Sequence, residues 1–153
     1  MNEIVGDLVA NNFKFAFIVS RFNEIIGERL LEGALDTFQR HGGSRDNVLV
    51  VRVPGAYEIP LAANKLAQKD EFDAIVCLGA VIRGETPHFD YISSNAAGGI
   101  ASVSLDSGVP VSFGILTTDT IEQAIERSGA KSGNQGRNAT VTAIEMASLL
   151  ANL

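Results

Sequence analysis

The chain has 153 residues, of which 46% are hydrophobic and 20% charged, the size and composition of one globular domain with a buried core. Twelve Lys and Arg against eighteen Asp and Glu give a net charge of −6, which disfavours general nucleic-acid binding. The apolar runs are too short for a membrane span, and residues 1–12 lack the composition of a secretory segment. Cys77 is the single cysteine, which argues against a disulfide framework. We therefore expect one cytoplasmic domain over residues 1–153 that contacts neither membrane nor nucleic acid.

Four short runs rich in β-branched residues predict strands, at residues 13–20, 48–53, 74–81 and 109–116. Each run is nearly continuous in hydrophobicity, which is typical of a strand that is buried on both faces. The leading segment 4–9 is a weaker strand candidate. No crossover helix separates it from the first run, so we expect it either at the sheet edge or reaching a neighbouring subunit.

Apolar residues at helical spacing predict five helices between and after these runs. Their patterns lie, in chain order, at residues 26–38, 60–68, 89–103, 119–127 and 141–148. Pro60 is tolerated because it falls in a first turn, and Asp119 and Glu122 have the spacing of a capping box. The order βαβαβαβαα predicts a four-stranded parallel sheet with helices on both faces, a three-layer α/β/α sandwich.

In an open parallel sheet, ligands bind beyond the carboxyl ends of the strands. The most informative segment there is 79–88, whose glycines have P-loop spacing, but Glu85 stands where that loop needs lysine. A nucleoside triphosphatase is therefore excluded. The remaining prediction is a turn with Thr86 as helix N-cap and Pro87 at the first helical position, whose backbone N–H groups suit a phosphate. A plain strand-to-helix turn is the alternative.

His88 follows at the second helical position, where the helix dipole favours the neutral ring, which can accept a proton. An ordinary surface histidine is the alternative.

Phe22 lies just beyond the first strand, where its ring could stack on a planar heterocycle or act as a hydrophobic staple. Glu58 could accept hydrogen bonds from hydroxyls or favour a helix start, and Arg127 could simply stabilise a helix C-terminus.

Blocks at 20–23, 53–60, 79–91, 113–127 and 143–147, above all the run GAVIRGETPHFDY at 79–91, resemble the 6,7-dimethyl-8-ribityllumazine synthases. The resemblance covers nearly the whole chain and implies a flavodoxin-like fold. It implies a transferase that condenses 5-amino-6-(D-ribitylamino)uracil with 3,4-dihydroxy-2-butanone 4-phosphate and releases phosphate and water, the penultimate step of riboflavin synthesis. It implies no metal and no organic cofactor.

The resemblance also assigns roles, residue by residue. His88 is implied in proton transfer. The pyrimidine and ribityl chain are expected on Phe22, Ala56, Tyr57, Glu58, Ala80, Val81, Ile82 and Phe113, and the phosphate on Glu85, Thr86, Arg127 and Lys131. Two positions depart from the family pattern. Tyr57 replaces the commoner phenylalanine, and Gln135 stands where many members have lysine.

Arg127 is expected far from His88, because the nine residue steps from Thr118 carry a helix roughly 13 Å back along the sheet. A neighbouring subunit should then complete the pocket. The resemblance implies a pentamer with sites between subunits. The short turn 129–136 resembles that of the shell-forming members, so we expect the 60-subunit icosahedral shell, for which riboflavin synthase is a candidate partner.

Four other functions are compatible with a small α/β domain. A receiver or a flavodoxin is excluded, because 20–23 has neither the acidic residues nor the Ser/Thr-rich phosphate loop that they need. A related riboflavin synthase acting on the lumazine and a non-catalytic shell protein remain as alternatives.

Overall fold

Four strands and five helices alternate along the chain in the predicted order. The computed structural model describes residues 1–153. The elements are β1 Phe15–Ser20, α1 Glu24–Arg40, β2 Val48–Val53, α2 Ile59–Ala67, β3 Ala74–Ile82, α3 His88–Ser107, β4 Val111–Thr118, α4 Ile121–Glu126 and α5 Gln135–Ala151. Single 3₁₀ turns at Arg45–Asn47 and Ala56–Glu58 precede β2 and α2. None of the helices is both long enough and apolar enough to cross a membrane.

The strands form one all-parallel sheet in the order β2-β1-β3-β4. The central strands β1 and β3 are buried almost throughout, as their continuous hydrophobicity predicts. The same prediction is wrong for β2 and β4, where Leu49, Arg52 and Phe113 are exposed. Both are edge strands with a single strand neighbour, so part of each strand is left without packing partners.

Helices cover both faces of the sheet and create two apolar cores, which confirms the three-layer α/β/α sandwich. Along β1 the side chains alternate between them: Phe17 packs with α1 and α5, and Ile18 packs with α2 and α3. In the first core the rings of Phe15 and Phe38 lie 4.8 Å apart between centroids. The apolar positions that predicted α1, among them Leu30, are buried in this core.

The segment before β1 is not a strand, so the prediction of an edge strand in the chain's own sheet is wrong. It lies against α5, where the Asp7 backbone N–H donates to Ser148 Oγ at 2.9 Å. Gly6 allows this close approach, since a Cβ there would collide with the carbonyl oxygen of Glu145. One backbone N–H of residues 4–9 is thus bonded to a helix side chain, while four apolar side chains stay about half exposed: Ile4, Val5, Leu8 and Val9.

Two helix starts differ from their predictions by one residue. The α4 capping box is formed by Thr120 and Gln123, not by Asp119 and Glu122. Thr120 has the extended backbone that an N-cap requires, and its hydroxyl accepts from the Gln123 backbone N–H at 3.2 Å. In α3 the N-cap position is taken by Pro87, not by Thr86.

Cys77 lies in the middle of β3, completely buried. Burial raises the pKa of its thiol well above the ordinary value, because the thiolate would have no solvation there. It is an apolar core residue.

We expect Cys77 to resist thiol reagents in the folded protein. A disulfide reagent such as Ellman's, applied at pH 8, should release almost no colour from the native chain and one equivalent per chain after unfolding in guanidinium chloride. Stoichiometric reaction of the folded protein within minutes would contradict the burial described here.

Candidate functional site

A cleft of about 730 Å³ opens at the carboxyl edge of the sheet, where parallel α/β sheets bind ligands. We call it the carboxyl-edge cleft. Its walls are the turns after β1 and β2, the end of β3 and the first turn of α3. Most of the predicted site residues line it: Phe22, Ala56, Tyr57, Glu58, Ala80, Val81, Ile82, Thr86 and His88.

The turn after β1 projects Phe22 into the cleft. The backbone N–H groups of Arg21 and Phe22 donate to the carbonyls of Val53 and Pro54, at 2.8 and 3.0 Å, which ties this turn to the end of β2. The Phe22 side chain is 72% exposed, and the staple position that would face it within α1 is Gly27, which has no side chain. The hydrophobic-staple alternative is therefore wrong.

Asn23 shapes the same turn and was not among the predicted site residues. Its backbone is left-handed, with φ 60° and ψ 51°, a conformation that asparagine tolerates better than most residues. Its side-chain Nδ2 donates to the carbonyl of Ala80 at 3.1 Å. This bond links the turn after β1 to β3 beyond the point where the strands stop pairing, at Val19 and Leu78. An asparagine between a predicted strand and a predicted helix was the sequence signal that could have indicated this left-handed turn.

The second wall is the 3₁₀ turn Ala56–Glu58. Tyr57 is 57% exposed, so the hydroxyl that distinguishes it from phenylalanine faces solvent and needs no internal partner. Glu58 precedes α2 without capping it, and its carboxylate lies over Gly55. Glu58 thus makes no capping hydrogen bond that would support its alternative role in starting the helix. Its carboxylate can accept hydrogen bonds from a ligand.

His88 is the first residue of α3 and faces the cleft. No side chain caps the start of this helix. The contact most like a cap is between the His88 backbone N–H and Thr86 Oγ1, whose separation of 3.5 Å is the limit of a hydrogen bond. The Asp90 backbone N–H already donates to the Pro87 carbonyl at 3.0 Å, but those of His88 and Phe89 have no backbone partner. These two groups at the start of the 20-residue helix remain available to an anion, with the helix dipole behind them.

Arg83, at the end of β3, makes the strongest ionic contacts near the cleft. Its Nε lies 2.9 Å from Asp119 Oδ1 and its Nη1 lies 3.5 Å from Asp90 Oδ1. The guanidinium also stands over the Phe89 ring, 4.3 Å from the centroid. The hydrogen bond to Asp119 is the main reason why the pKa of Arg83 is raised.

The other predicted site residues do not line the cleft of a single chain. Phe113 is on the edge strand β4, and Lys131 is exposed in the turn between α4 and α5. Arg127 follows the last residue of α4, where its Nη1 donates to the carbonyl of Gln123 at 3.1 Å. Glu85 is exposed in the loop before α3 but does not face the cleft. As a result, no Lys or Arg lines the cleft, and its ionisable residues are Tyr57, Glu58 and His88.

A comparison with known protein families gives one match over most of the chain. A family model described as 6,7-dimethyl-8-ribityllumazine synthase matches residues 12–151. The match includes every wall of the carboxyl-edge cleft.

The Asn23 turn leads to a stability prediction. Both Asn23→Ala and Asn23→Gly lose the hydrogen bond to Ala80. Alanine keeps a β-carbon in the left-handed region without the polar side chain that lets asparagine adopt it, whereas glycine has no β-carbon and adopts it freely. We expect Asn23→Ala to unfold about 1–2 kcal/mol more easily than Asn23→Gly, measured by urea denaturation at equal protein concentration. Equal stability of the two variants would contradict the left-handed conformation.

Proposed function

The chain belongs to the 6,7-dimethyl-8-ribityllumazine synthase family, and we propose on that premise that it condenses 5-amino-6-(D-ribitylamino)uracil with 3,4-dihydroxy-2-butanone 4-phosphate. The family places it among the transferase-type enzymes that form the lumazine of riboflavin biosynthesis. One observation carries the specific proposal: a cleft of suitable volume in which exposed aromatic rings, an uncommitted carboxylate and an imidazole at a helix start face the same space.

The heterocycle has a matching surface in the cleft. The exposed ring of Phe22 can stack on the pyrimidine, an interaction worth about 1–3 kcal/mol for a base on an aromatic side chain. Because β1 stops pairing at Leu78, residues 80–82 border the cleft on that side. The Ala80 carbonyl is taken by Asn23, and the remaining backbone groups there can bind the ring edge. Glu58 can accept hydrogen bonds from the ribityl hydroxyls.

The proposed chemistry needs proton transfers at one place. The uracil amine attacks the ketone carbon of the butanone phosphate, and loss of water from the carbinolamine gives an imine. His88 moves the protons of these steps. Phosphate then leaves from C4 with the C–O electron pair as C3 loses its proton, and the resulting enol tautomerises to a ketone at C3. The second uracil nitrogen condenses with this new ketone and loses a second water, which closes the ring. Holding two reactive substrates together supplies much of the rate.

The departing phosphate needs a countercharge that the cleft lacks. A phosphate monoester carries close to two negative charges, and no Lys or Arg lines the cleft of one chain. We propose that Phe113, Arg127 and Lys131 of an adjacent subunit complete the site, within a pentamer that assembles further into a 60-subunit shell. The half-exposed apolar side chains of residues 4–9 support contact of this arm with a neighbour.

Incubation of the protein with both substrates tests the reaction, with lumazine fluorescence as the readout. Lumazine formation supports the proposal. Conversion of added lumazine to riboflavin without lumazine formation would identify a riboflavin synthase instead, and an assembled particle without either activity would identify a shell protein.

Loss of the proton-transfer group and loss of the phosphate-binding group should reduce activity by different factors. We expect His88→Ala to lower kcat about 10²-fold, since water and the substrates' own reactivity replace part of the proton transfer. Arg127→Ala should lower kcat/KM about 10³-fold, because the departing charge loses its cation. His41→Ala, at the end of α1, is the matched histidine control. Equal and small losses in steady-state kinetics would refute the assignment.

The shared site predicts complementation between inactive variants. Co-expression of His88→Ala with Arg127→Ala chains in equal amounts should restore activity at about one quarter of the sites, because random assembly pairs the two intact residues across that share of interfaces. If both residues served one site of a single chain, mixed particles would be no more active than the separate variants.

A further inference from the structure

Arg83, a cation beside the cleft, is paired with other side chains of the protein. Arg83 contacts three side chains, and they belong to two different parts of the chain: Phe89 and Asp90 in the first turn of α3, and Asp119 in the turn between β4 and α4. In addition, its backbone N–H donates to the carbonyl of Thr118 at 2.8 Å, next to Asp119. The guanidinium therefore joins the end of β3, the start of α3 and the end of β4.

The start of α3 needs such a connection. His88 and Phe89 both line the cleft, yet the helix that carries them begins without a side-chain cap, after an exposed loop at 84–87. On the opposite side, the turn that holds Asp119 is itself fixed, because the Asp119 backbone N–H donates to Gln123 Oε1 at 2.8 Å. Asp119 is thus a firm anchor from which Arg83 can hold the first turn of α3.

Resting on the proposed function, we infer that Arg83 is a positioning residue, which holds His88 at its place in the cleft through Phe89, Asp90 and Asp119 and does not bind the substrate phosphate. The planar guanidinium suits this role because it stacks on a ring and offers separate N–H groups to two carboxylates. Those carboxylates also neutralise the charge that an anion would need. Arg83 is half exposed, so the contacts contribute little to global stability, and their consequence is the orientation of α3.

Histidine NMR tests this inference without any substrate. The chain has two histidines, and His41 lies at the end of α1 with Nδ1 2.8 Å from the Thr37 carbonyl oxygen, which makes it an internal reference. We expect Arg83→Gln and Asp119→Asn to shift or broaden the ring signals of His88 and to leave those of His41 in place. Unchanged His88 signals in both variants would overturn the inference.

Kinetics of the same variants separates positioning from phosphate binding. We expect Arg83→Gln and Asp119→Asn each to lower kcat about tenfold, as a displaced proton-transfer group would, with KM for the butanone phosphate within about twofold of wild type. Arg83→Lys, which keeps the charge but loses the planar fork, should lower kcat nearly as much as Arg83→Gln. If Asp119→Asn instead lowered that KM, or tightened binding of inorganic phosphate, Arg83 would be an anion ligand released from Asp119, and the inference would fail.

A matched ion pair elsewhere supplies the control. Arg40 and Asp36 on α1 are also exposed, with Nε 2.9 Å from Oδ2. Arg40→Gln and Asp36→Asn should leave kcat and the His88 signals unchanged. If the wild-type protein formed no lumazine, the proposed function would fail, and the NMR comparison would still decide whether Arg83 positions His88.

Discussion

The unequal lengths of the two central strands are the constraint on which the cleft depends. β1 and β3 pair in parallel from Phe15 and Ala74, but β1 ends at Ser20 while β3 continues to Ile82. The chain after β1 turns away through the left-handed Asn23, and the side chain of Asn23 takes over where the strand pairing stops. Apart from the Ala80 carbonyl, the backbone of residues 80–82 is then open on one side. Without this mismatch the space would be filled by a strand.

The charge distribution gives the second constraint. The proposed reaction of this acidic chain requires positive charge beside a phosphate, yet the cleft has no cation of its own and Arg83 beside it is neutralised by two carboxylates. One subunit therefore presents an apolar and aromatic surface with an imidazole at a helix start. The proposed site shared between subunits would resolve this imbalance, since each subunit could hold its basic residues away from its own cleft.

Much of the fold was predictable because hydrophobic periodicity is a local property. The runs that became β1 and β3 and the spacing that became α1 were confirmed, as was the parallel sheet with helices on both faces. The partial exposure of β2 was not predictable, since it depends on which strands become edges. The one-residue shifts at Thr120 and Pro87 arise because several neighbouring residues could cap a helix, and backbone geometry decides among them. In the site, the sequence placed Phe22 and His88, whereas the roles of Asn23 and Arg83 depend on partners that are distant in sequence: Asn23 contacts Ala80, and Arg83 contacts Asp119.

The burial of Cys77 has a practical consequence. Because the only thiol of the chain is in the middle of the sheet, a cysteine introduced at an exposed position would be the sole addressable handle on the molecule. Fluorophores, spin labels or cargo could then be attached at one defined point per subunit while the native core sequence is kept intact.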